Sequence, residues 1–276
     1  MKREKFFPRR CFDLLQTFKK KKAPRLGEKL RFSGVGKQDV YNISAPFHIG
    51  NATVLAGRVE TREAWADSQV IFFEEKEGAW IPKSGAPTLR LEDGFATYIG
   101  DETIFGGVEV YSKSAMADFR NVGYRTVFYH GCDLQSLQKF ATGPDMMKDI
   151  RLAPLSNGRI AIFTRPQGGS SGKGEIGYVE IQRLEDLNAQ SILDARIIKN
   201  QFAPEEWGGV NELHPLQDGK IGVIGHIAYQ DTQGKHYSAM SFVYDPEMHR
   251  ASPIKIITTR KNFPAGDEKT SKFADI

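Results

Sequence analysis

The sequence predicts an all-β fold, and more specifically a five-bladed β-propeller. The aromatic share of 11%, with 27 Gly and 13 Pro in 276 residues, favours many strands joined by tight turns over a helical bundle. From Lys29 onward the apolar residues recur with a period close to two, which indicates strands. In addition, an acidic residue recurs near the start of a strand-like run at intervals of 54, 56, 63 and 63 residues. A repeat of this length is typical of propeller blades.

The recurring acidic residues are Asp39, Asp93, Asp149, Glu212 and Asp275. The innermost strands of a propeller converge on a central axis, so residues that open those strands surround one cavity. Buried carboxylates need partners or a chemical role. We therefore predict a ring of acidic residues in one cavity, and an enzyme. Because the fifth repeat has barely begun where the sequence ends, the fifth blade is expected to be incomplete.

Seven runs rich in β-branched and aromatic residues are predicted to be strands. They are LRFSGV, QVIFFEE, ATYIGDETIFGGVEVY, RTVFYHG, RIAIFTRP, KIGVIGHIAY and AMSFVYD. Hairpin turns are predicted at Gly100-Asp101, Asn157-Gly158 and Asp218-Gly219, each at a similar offset from the preceding acidic residue.

The charge of the chain is concentrated at its N-terminus. Residues 1–31 contain twelve Lys or Arg and three acidic residues, a balance of +9, so with a total of +4 the remainder carries −5. Residues 8–22 are predicted to form a short helix whose apolar face contains Phe12, Leu14, Leu15 and Phe18. We expect a basic helical arm over residues 1–28 and one catalytic propeller over residues 29–276.

The same composition argues against several classes of protein. The Lys19–Lys22 run is interpreted as solvated, because no basic stripe with interleaved aromatics continues beyond it, and no nucleic-acid partner is expected. No apolar run is long enough to span a bilayer, and the N-terminus lacks the features of a signal peptide. Cys11 and Cys132 make no disulfide framework or metal motif, which favours a cytoplasmic protein.

Charged residues gather at the starts of the repeats. Arg58 and Glu60 are two residues apart, as are Asp149 and Arg151, so strand alternation places each pair on one face. It is possible for the two residues of such a pair to do no more than offset each other's charge. That interpretation stays open for each pair. No metal is expected, because the histidines His214, His226 and His236 lack the spacing of metal ligands.

Carboxylates beside Arg, Lys and His suit a sugar substrate together with an anion. A carboxylate can exchange a proton with a glycosidic oxygen, and cationic side chains can hold phosphate. A hydrolase would need a second carboxylate to activate water or act as nucleophile, whereas a phosphorylase needs only one, because phosphate is already a nucleophile.

Several motifs, in order, resemble the mannosyltransferase/phosphorylase family, which is glycosyltransferase family 108 and was once filed as a domain of unknown function. They are GRVE, LED, FGGVEV, GPDMMKDIRL, GRIAIFTRPQG, NEL, IGHIAY and HYSAM, and the resemblance runs from about Lys29 to the C-terminus. It implies a five-bladed propeller related to the family 130 mannoside phosphorylases. It also implies inverting, reversible chemistry on β-1,2-mannosides, with inorganic phosphate or mannose 1-phosphate as co-substrate, no cofactor, and GDP-mannose as the donor of some members.

The resemblance also implies roles for individual residues. Asp93, the acid of LED, corresponds to the catalytic carboxylate, which protonates the leaving oxygen directly or through a sugar hydroxyl and acts as the base in synthesis. The candidates for phosphate binding are Lys148, Arg165, His226 and Tyr237. The candidates for binding the manno-oligosaccharide are Arg58, Glu60, Glu109, Asp149 and Glu212.

Two other functions stay open. A glycosidase of the same architecture would use a second carboxylate such as Glu212 or Asp149 to activate water. A propeller without catalytic activity would bind a glycan or a protein. The oligomeric state does not follow from the sequence.

Overall fold

The structure is a computed structural model that describes residues 8–20, 26–61, 68–113 and 122–264. The chain divides into two compact units. The first unit contains Met1–Lys29, Asp149–Leu184 and Ser191–Ile276, and the second contains Leu30–Lys148 and Glu185–Gln190. The predicted all-β class is confirmed, because the described residues form four antiparallel sheets and only short helices.

The second unit contains the first two sheets. One consists of β1 (Asp39–Tyr41), β2 (Phe47–Ile49), β3 (Ala52–Glu60), β4 (Gln69–Lys76) and β5 (Ala79–Pro82), in which β1 and β2 both pair with β3. The other consists of β6 (Glu92–Ile99), β7 (Glu102–Ser112), β8 (Val122–Gly131) and β9 (Gln138–Thr142), paired in chain order. Sequential strands paired in this way are typical of propeller blades.

The first unit contains the other two sheets. One consists of β10 (Arg151–Pro154), β11 (Ile160–Thr164), β12 (Gly177–Ile181) and β13 (Arg196–Ile197). The other consists of β14 (Trp207–Pro215), β15 (Ile221–Asp231), β16 (Gly234–Asp245), β17 (Arg250–Ala251) and β18 (Lys255–Thr258), in which β17 and β18 both pair with β16. Four blade-type sheets are thus described. The fifth acidic position, Asp275, lies outside the described residues, so the count of five blades stays a prediction.

The helices are few and short. Those in the described residues are α1 (Cys11–Lys19), α2 (Ala189–Leu193) and three 3₁₀ turns at Gly169–Ser171, Leu184–Asp186 and Arg260–Asn262. Leu14 is buried and Leu15 and Phe18 pack on the core of the first unit, but Phe12 is 64% exposed, so its predicted place on the apolar face was wrong. No helix among the described residues is long and apolar enough to cross a membrane. Lys21 and Lys22 lie outside the described residues, and the arm over residues 1–28 stays a prediction.

Most of the predicted strands and all three predicted hairpin turns are present. Ile99 pairs with Glu102 around Gly100-Asp101, and Gly158 and Gly219 adopt the positive φ that their turns require. The LRFSGV segment was predicted wrongly as a strand, because its only ladder contact among the described residues is an isolated bridge from Phe32 to Trp80.

Each unit has its own aromatic core. In the second unit Phe47, Phe72 and Phe105 pack together, with ring centroids 5.0 to 6.3 Å apart. In the first unit Phe163, Tyr178 and Tyr244 do the same, with centroids 4.5 to 5.4 Å apart. Aromatic pairs at these separations add to the stability that burial of their large apolar surfaces provides.

The ring of His249 packs against Tyr178 and Tyr244 of the aromatic core of the first unit. A hydrogen bond of 2.5 Å joins its Nδ1 and the Tyr244 hydroxyl, and a backbone hydrogen bond with Ile197 acts to raise its pKa. Burial lowers the pKa of His249, and the positive charge of Arg196 lowers it further. The folded state therefore favours the neutral imidazole.

The free energy of unfolding should depend on pH through His249. Because its pKa is lower in the folded than in the unfolded state, its contribution is complete above about pH 6.5 and is lost as the pH falls through the folded-state pKa. His249→Asn cannot titrate, and asparagine tolerates the left-handed backbone at this position. Urea unfolding at several pH values should give a weaker pH dependence for this variant than for the wild type. His214→Asn, at an exposed histidine, is the matched control, and equal slopes for wild type and His249→Asn would contradict this account.

Candidate active site

The second unit places a cluster of carboxylates around Arg58. Alternation along β3 puts Arg58 and Glu60 on one face as predicted, and Arg58 Nε donates a hydrogen bond of 2.9 Å to Glu60 Oε2. The Arg58 guanidinium lies over the ring of Tyr41, 5.0 Å from its centroid, and Ser68 also donates a hydrogen bond to Glu60. These contacts hold the guanidinium in a single orientation.

Arg58 also reaches two carboxylates from the next sheet. Its Nη2 lies 2.8 Å from Glu92 Oε1, and its Nη1 lies 3.5 Å from Asp93 Oδ1. One guanidinium therefore faces three carboxylates, counting Glu60. The negative charge of Asp93 beside Glu92 favours the protonated form of Glu92. The structure thus brings together the predicted residues Arg58, Glu60 and Asp93.

Glu92 belongs to the same cluster, although the sequence analysis did not select it. Neighbouring residues of a regular strand point to opposite faces, so Glu92 and Asp93 were not expected to share a partner. The register of β6 shifts between Glu92 and Phe95, and Asp93 has a φ of 52°. This β-bulge lets both carboxylates face Arg58. The available signal was the adjacency of the two acids in LED.

Burial changes the pKa of Glu92. It raises the pKa of Glu92, the charge of Arg58 opposes that change, and the charge of Asp93 adds to it. The ammonium of Lys148 also lowers the pKa of Glu92, but the pKa stays above its ordinary value. Lys148, predicted to bind phosphate, is thus part of the electrostatic environment of this carboxyl.

The first unit places Asp149, Arg165 and His226 together. Arg165 Nη1 lies 2.7 Å from Asp149 Oδ2, and His226 Nε2 lies 4.0 Å from the same oxygen. A β-carbon at Gly209 would lie 2.8 Å from Asp149 Oδ2 and 2.9 Å from His226 Cε1. Glycine is therefore required at this position for the three side chains to meet.

Further residues of the first unit complete this second cluster. His226 Nδ1 lies 3.0 Å from Asn211 Oδ1, and the Tyr237 ring lies 5.8 Å from the His226 ring. Arg165 Nη2 donates to the carbonyl of Lys173 at 3.2 Å, and its Nε is buried without a partner in the described residues. Three of the four predicted phosphate-binding residues, Arg165, His226 and Tyr237, are therefore brought together.

Lys173 is a residue that the sequence analysis did not select. Its ammonium lies 4.8 Å from the centroid of the Trp207 ring and donates to Gln230 Oε1 at 3.1 Å. The Trp207 ring in turn packs edge-to-face on Tyr237. A cation over an aromatic face is stabilised by the ring quadrupole. The only sequence signal was a lysine in a glycine-rich segment.

Glu212 does not open its strand as predicted. It is the sixth residue of β14, 40% exposed at its side chain, and it lies 3.3 Å from His214 Nε2. Counted back from the last residue of each inner strand, Pro154 or Pro215, Glu212 corresponds to Arg151 and not to Asp149. A bulge between Val210 and Glu212 instead leaves Asn211 as the residue that contacts His226.

Glu109 lies in a separate ion-pair network of the second unit. Arg125 Nε donates to it at 2.8 Å and Lys139 Nζ at 3.0 Å. Burial raises the pKa of Glu109, but these two hydrogen bonds outweigh it and the pKa is lowered. Glu109 is thus an ionised partner of two cations. Among the residues that the structure describes, no three His, Cys, Asp or Glu side chains come together as a metal site requires.

The two clusters suit different chemistry. The carboxylates around Arg58 can bind sugar hydroxyls and exchange protons. Arg165, His226 and Lys173 can bind an anion through charge-assisted hydrogen bonds, and a buried guanidinium with an unpaired N–H is well suited to this task.

Comparison with known proteins gives strong matches. The family described as "Protein of unknown function (DUF1861)" matches residues 16–276. MPT-4, a mannose phosphorylase from Leishmania mexicana solved in complex with phosphate ion, is 35% identical, covering 96% of this chain and 82% of that chain with a TM-score of 0.86. MPT-1, a GDP-Man-dependent mannosyltransferase from the same organism, is 33% identical, covering 97% and 85% with a TM-score of 0.85.

A more distant match supports the fold alone. The β-1,2-mannobiose phosphorylase from Listeria innocua is 15% identical, covering 84% of this chain and 80% of that chain with a TM-score of 0.55. No curated protein sequence matches the chain.

The buried pair of Arg165 and Asp149 should be important for stability. Their side chains are 7% and 10% exposed, so Arg165→Met removes the cation 2.7 Å from a buried carboxylate and should lower the free energy of unfolding by about 3–5 kcal/mol. Arg125→Met is the matched control, since its pair with Glu109 is 34% and 25% exposed and should contribute at most about 1 kcal/mol. Urea unfolding measures both, and equal losses would refute the distinction.

Proposed function

This chain belongs to the DUF1861 family, and we propose that it is an inverting glycoside phosphorylase and mannosyltransferase that acts on β-1,2-mannosides. The observation that carries the proposal is its similarity, over nearly its whole length, to a mannose phosphorylase and a mannosyltransferase. Its co-substrate is inorganic phosphate in degradation and mannose 1-phosphate in synthesis, and GDP-mannose is a second candidate donor.

Asp93 is proposed as the acid of phosphorolysis. An oxygen of phosphate attacks C1 of the terminal mannose while the bond from C1 to the glycosidic oxygen breaks. Protonated Asp93 gives its proton to that oxygen, directly or through a sugar hydroxyl, and is left as a carboxylate. The products are mannose 1-phosphate and the shortened oligosaccharide. In the reverse direction the Asp93 carboxylate accepts the proton of the attacking hydroxyl.

The other residues are proposed to bind the reactants. Arg58 orients Asp93, and Glu60 holds Arg58 or a sugar hydroxyl. Arg165, His226 and Tyr237 bind the phosphate, and Lys173 adds a cation to that group. Asp149 keeps Arg165 in place.

The roles of some other residues are also part of this proposal. Lys148 as a phosphate ligand, and Glu109, Asp149 and Glu212 as sugar ligands, are still predictions. Cys11 and Cys132 are not joined in a disulfide in the described part of the chain, which is consistent with the expected cytoplasmic location.

Phosphate dependence tests the proposed reaction. The purified chain with β-1,2-mannobiose should release mannose 1-phosphate only when inorganic phosphate is present. Free mannose formed without phosphate would favour the glycosidase instead. No turnover by a folded protein that binds the disaccharide would favour a binding function. Synthesis from mannose 1-phosphate and from GDP-mannose, run in parallel, identifies the donor.

Asp93→Asn tests the catalytic assignment. It keeps the size of the side chain and removes the exchangeable proton, so turnover should fall by about 10²–10⁴-fold. Asp101→Asn, in the turn after β6, is the matched control and should keep wild-type turnover. Wild-type turnover by Asp93→Asn would remove Asp93 from this role.

A further inference from the structure

Asn42 contacts the proposed catalytic carboxylate directly. It follows β1, and its Nδ2 donates a hydrogen bond of 2.7 Å to Asp93 Oδ1. Arg58 Nη1 approaches the same oxygen at 3.5 Å. Within the described part of the chain, both contacts of the carboxylate fall on Oδ1 and none on Oδ2.

The backbone at both ends of this hydrogen bond is unusual. Asn42 has a φ of 46° and Asp93 a φ of 52°, so both are left-handed, which most residues other than glycine avoid. Strained residues of this kind persist where the surrounding structure holds them, and they cluster at functional sites. Two such residues joined by a short hydrogen bond form a rigid unit.

We propose that Asn42 is a positioning residue that determines which oxygen of Asp93 exchanges the catalytic proton. The inference rests on the proposed function and deepens it. An amide N–H and a guanidinium N–H can only donate, so the oxygen that accepts from both is the unprotonated one. When Asp93 is protonated, its proton therefore resides on Oδ2.

This arrangement determines which oxygen of Asp93 donates the proton in phosphorolysis and accepts it in synthesis. In phosphorolysis the Oδ2–H bond breaks, the proton moves to the leaving glycosidic oxygen, and the electron pair stays on the carboxylate. In synthesis Oδ2 accepts the proton of the attacking hydroxyl. Throughout, Oδ1 keeps its hydrogen bonds to Asn42 and Arg58, so the carboxylate does not rotate between the two steps.

Asn42→Gly tests the inference, because glycine adopts the left-handed backbone freely but has no amide to donate. We expect kcat to fall about 10–100-fold in both directions, since misorientation of a catalytic group has effects of this size. The KM for phosphate and the unfolding midpoint should stay at their wild-type values. Asn200→Gly, at an exposed left-handed asparagine of the first unit, is the matched control and should keep wild-type kinetics.

Two results would overturn the inference. One is a wild-type kcat for Asn42→Gly. The other is a kcat that falls only together with the unfolding midpoint, because that would indicate a structural role. Asn42→Asp adds a pH readout: its carboxylate must share a proton with Asp93, so the loss of kcat should be larger above neutral pH than at pH 5.

A crystal structure of Asn42→Gly separates this inference from the proposed function. If the wild type has no phosphorolytic activity, the proposed function fails, whereas the orientation of the carboxylate can still be observed. The Asp93 carboxylate should occupy one orientation in the wild type and more than one in the variant. A single, unchanged orientation in the variant would show that Asn42 does not position it.

Discussion

The left-handed backbone of Asp93 is the constraint on which the carboxylate cluster depends. In a regular strand Glu92 and Asp93 would point to opposite faces, and Arg58 could reach only one of them. The bulge in β6 turns both toward the guanidinium. Asp and Asn tolerate positive φ better than other residues with a β-carbon, because their short polar side chains can hydrogen-bond locally. Aspartate at this position thus satisfies both the left-handed backbone and the need for a carboxylate beside Arg58.

The same backbone requirement accounts for part of the acidic repeat, namely for Asp93 and Asp149. Asn42, Asp93 and Asp149 are all left-handed and stand beside or within the inner strands of three successive sheets. What they share is tolerance of this backbone, not negative charge. Asp39 is the first residue of β1 and lies opposite Glu60 in the β1–β3 ladder, and Glu212 lies within β14. Neither is therefore equivalent to Asn42, Asp93 and Asp149. The spacing is consistent with the four blade-type sheets of the described residues, although the reason assumed for it was only partly right.

The parts of the fold that the sequence predicted are those controlled by local interactions. Central strands show a clear alternation of apolar and polar residues, and several turns require glycine because their backbone has a positive φ. Both features could therefore be recognised in the sequence. The outer strands β13 and β17 have two residues each, too few to show a period. In the site, Arg58 and Glu60 could be paired from strand alternation alone. The contacts of Glu92, Asn211 and Lys173 depend on bulges and on packing between distant segments, which no local pattern records.

The two clusters have opposite electrostatic requirements, and their separation along the sequence follows from this. Around Arg58 the carboxylates of Glu60, Glu92 and Asp93 come together, and the charge of Asp93 contributes to the raised pKa of Glu92. An anion site requires positive charge and N–H donors, and Arg165 supplies both beside Asp149 and His226. The carboxylate cluster is built from β3 and β6 in the second unit, and the cluster around Arg165 is built from segments of the first unit. Each cluster therefore has its own balance of charge.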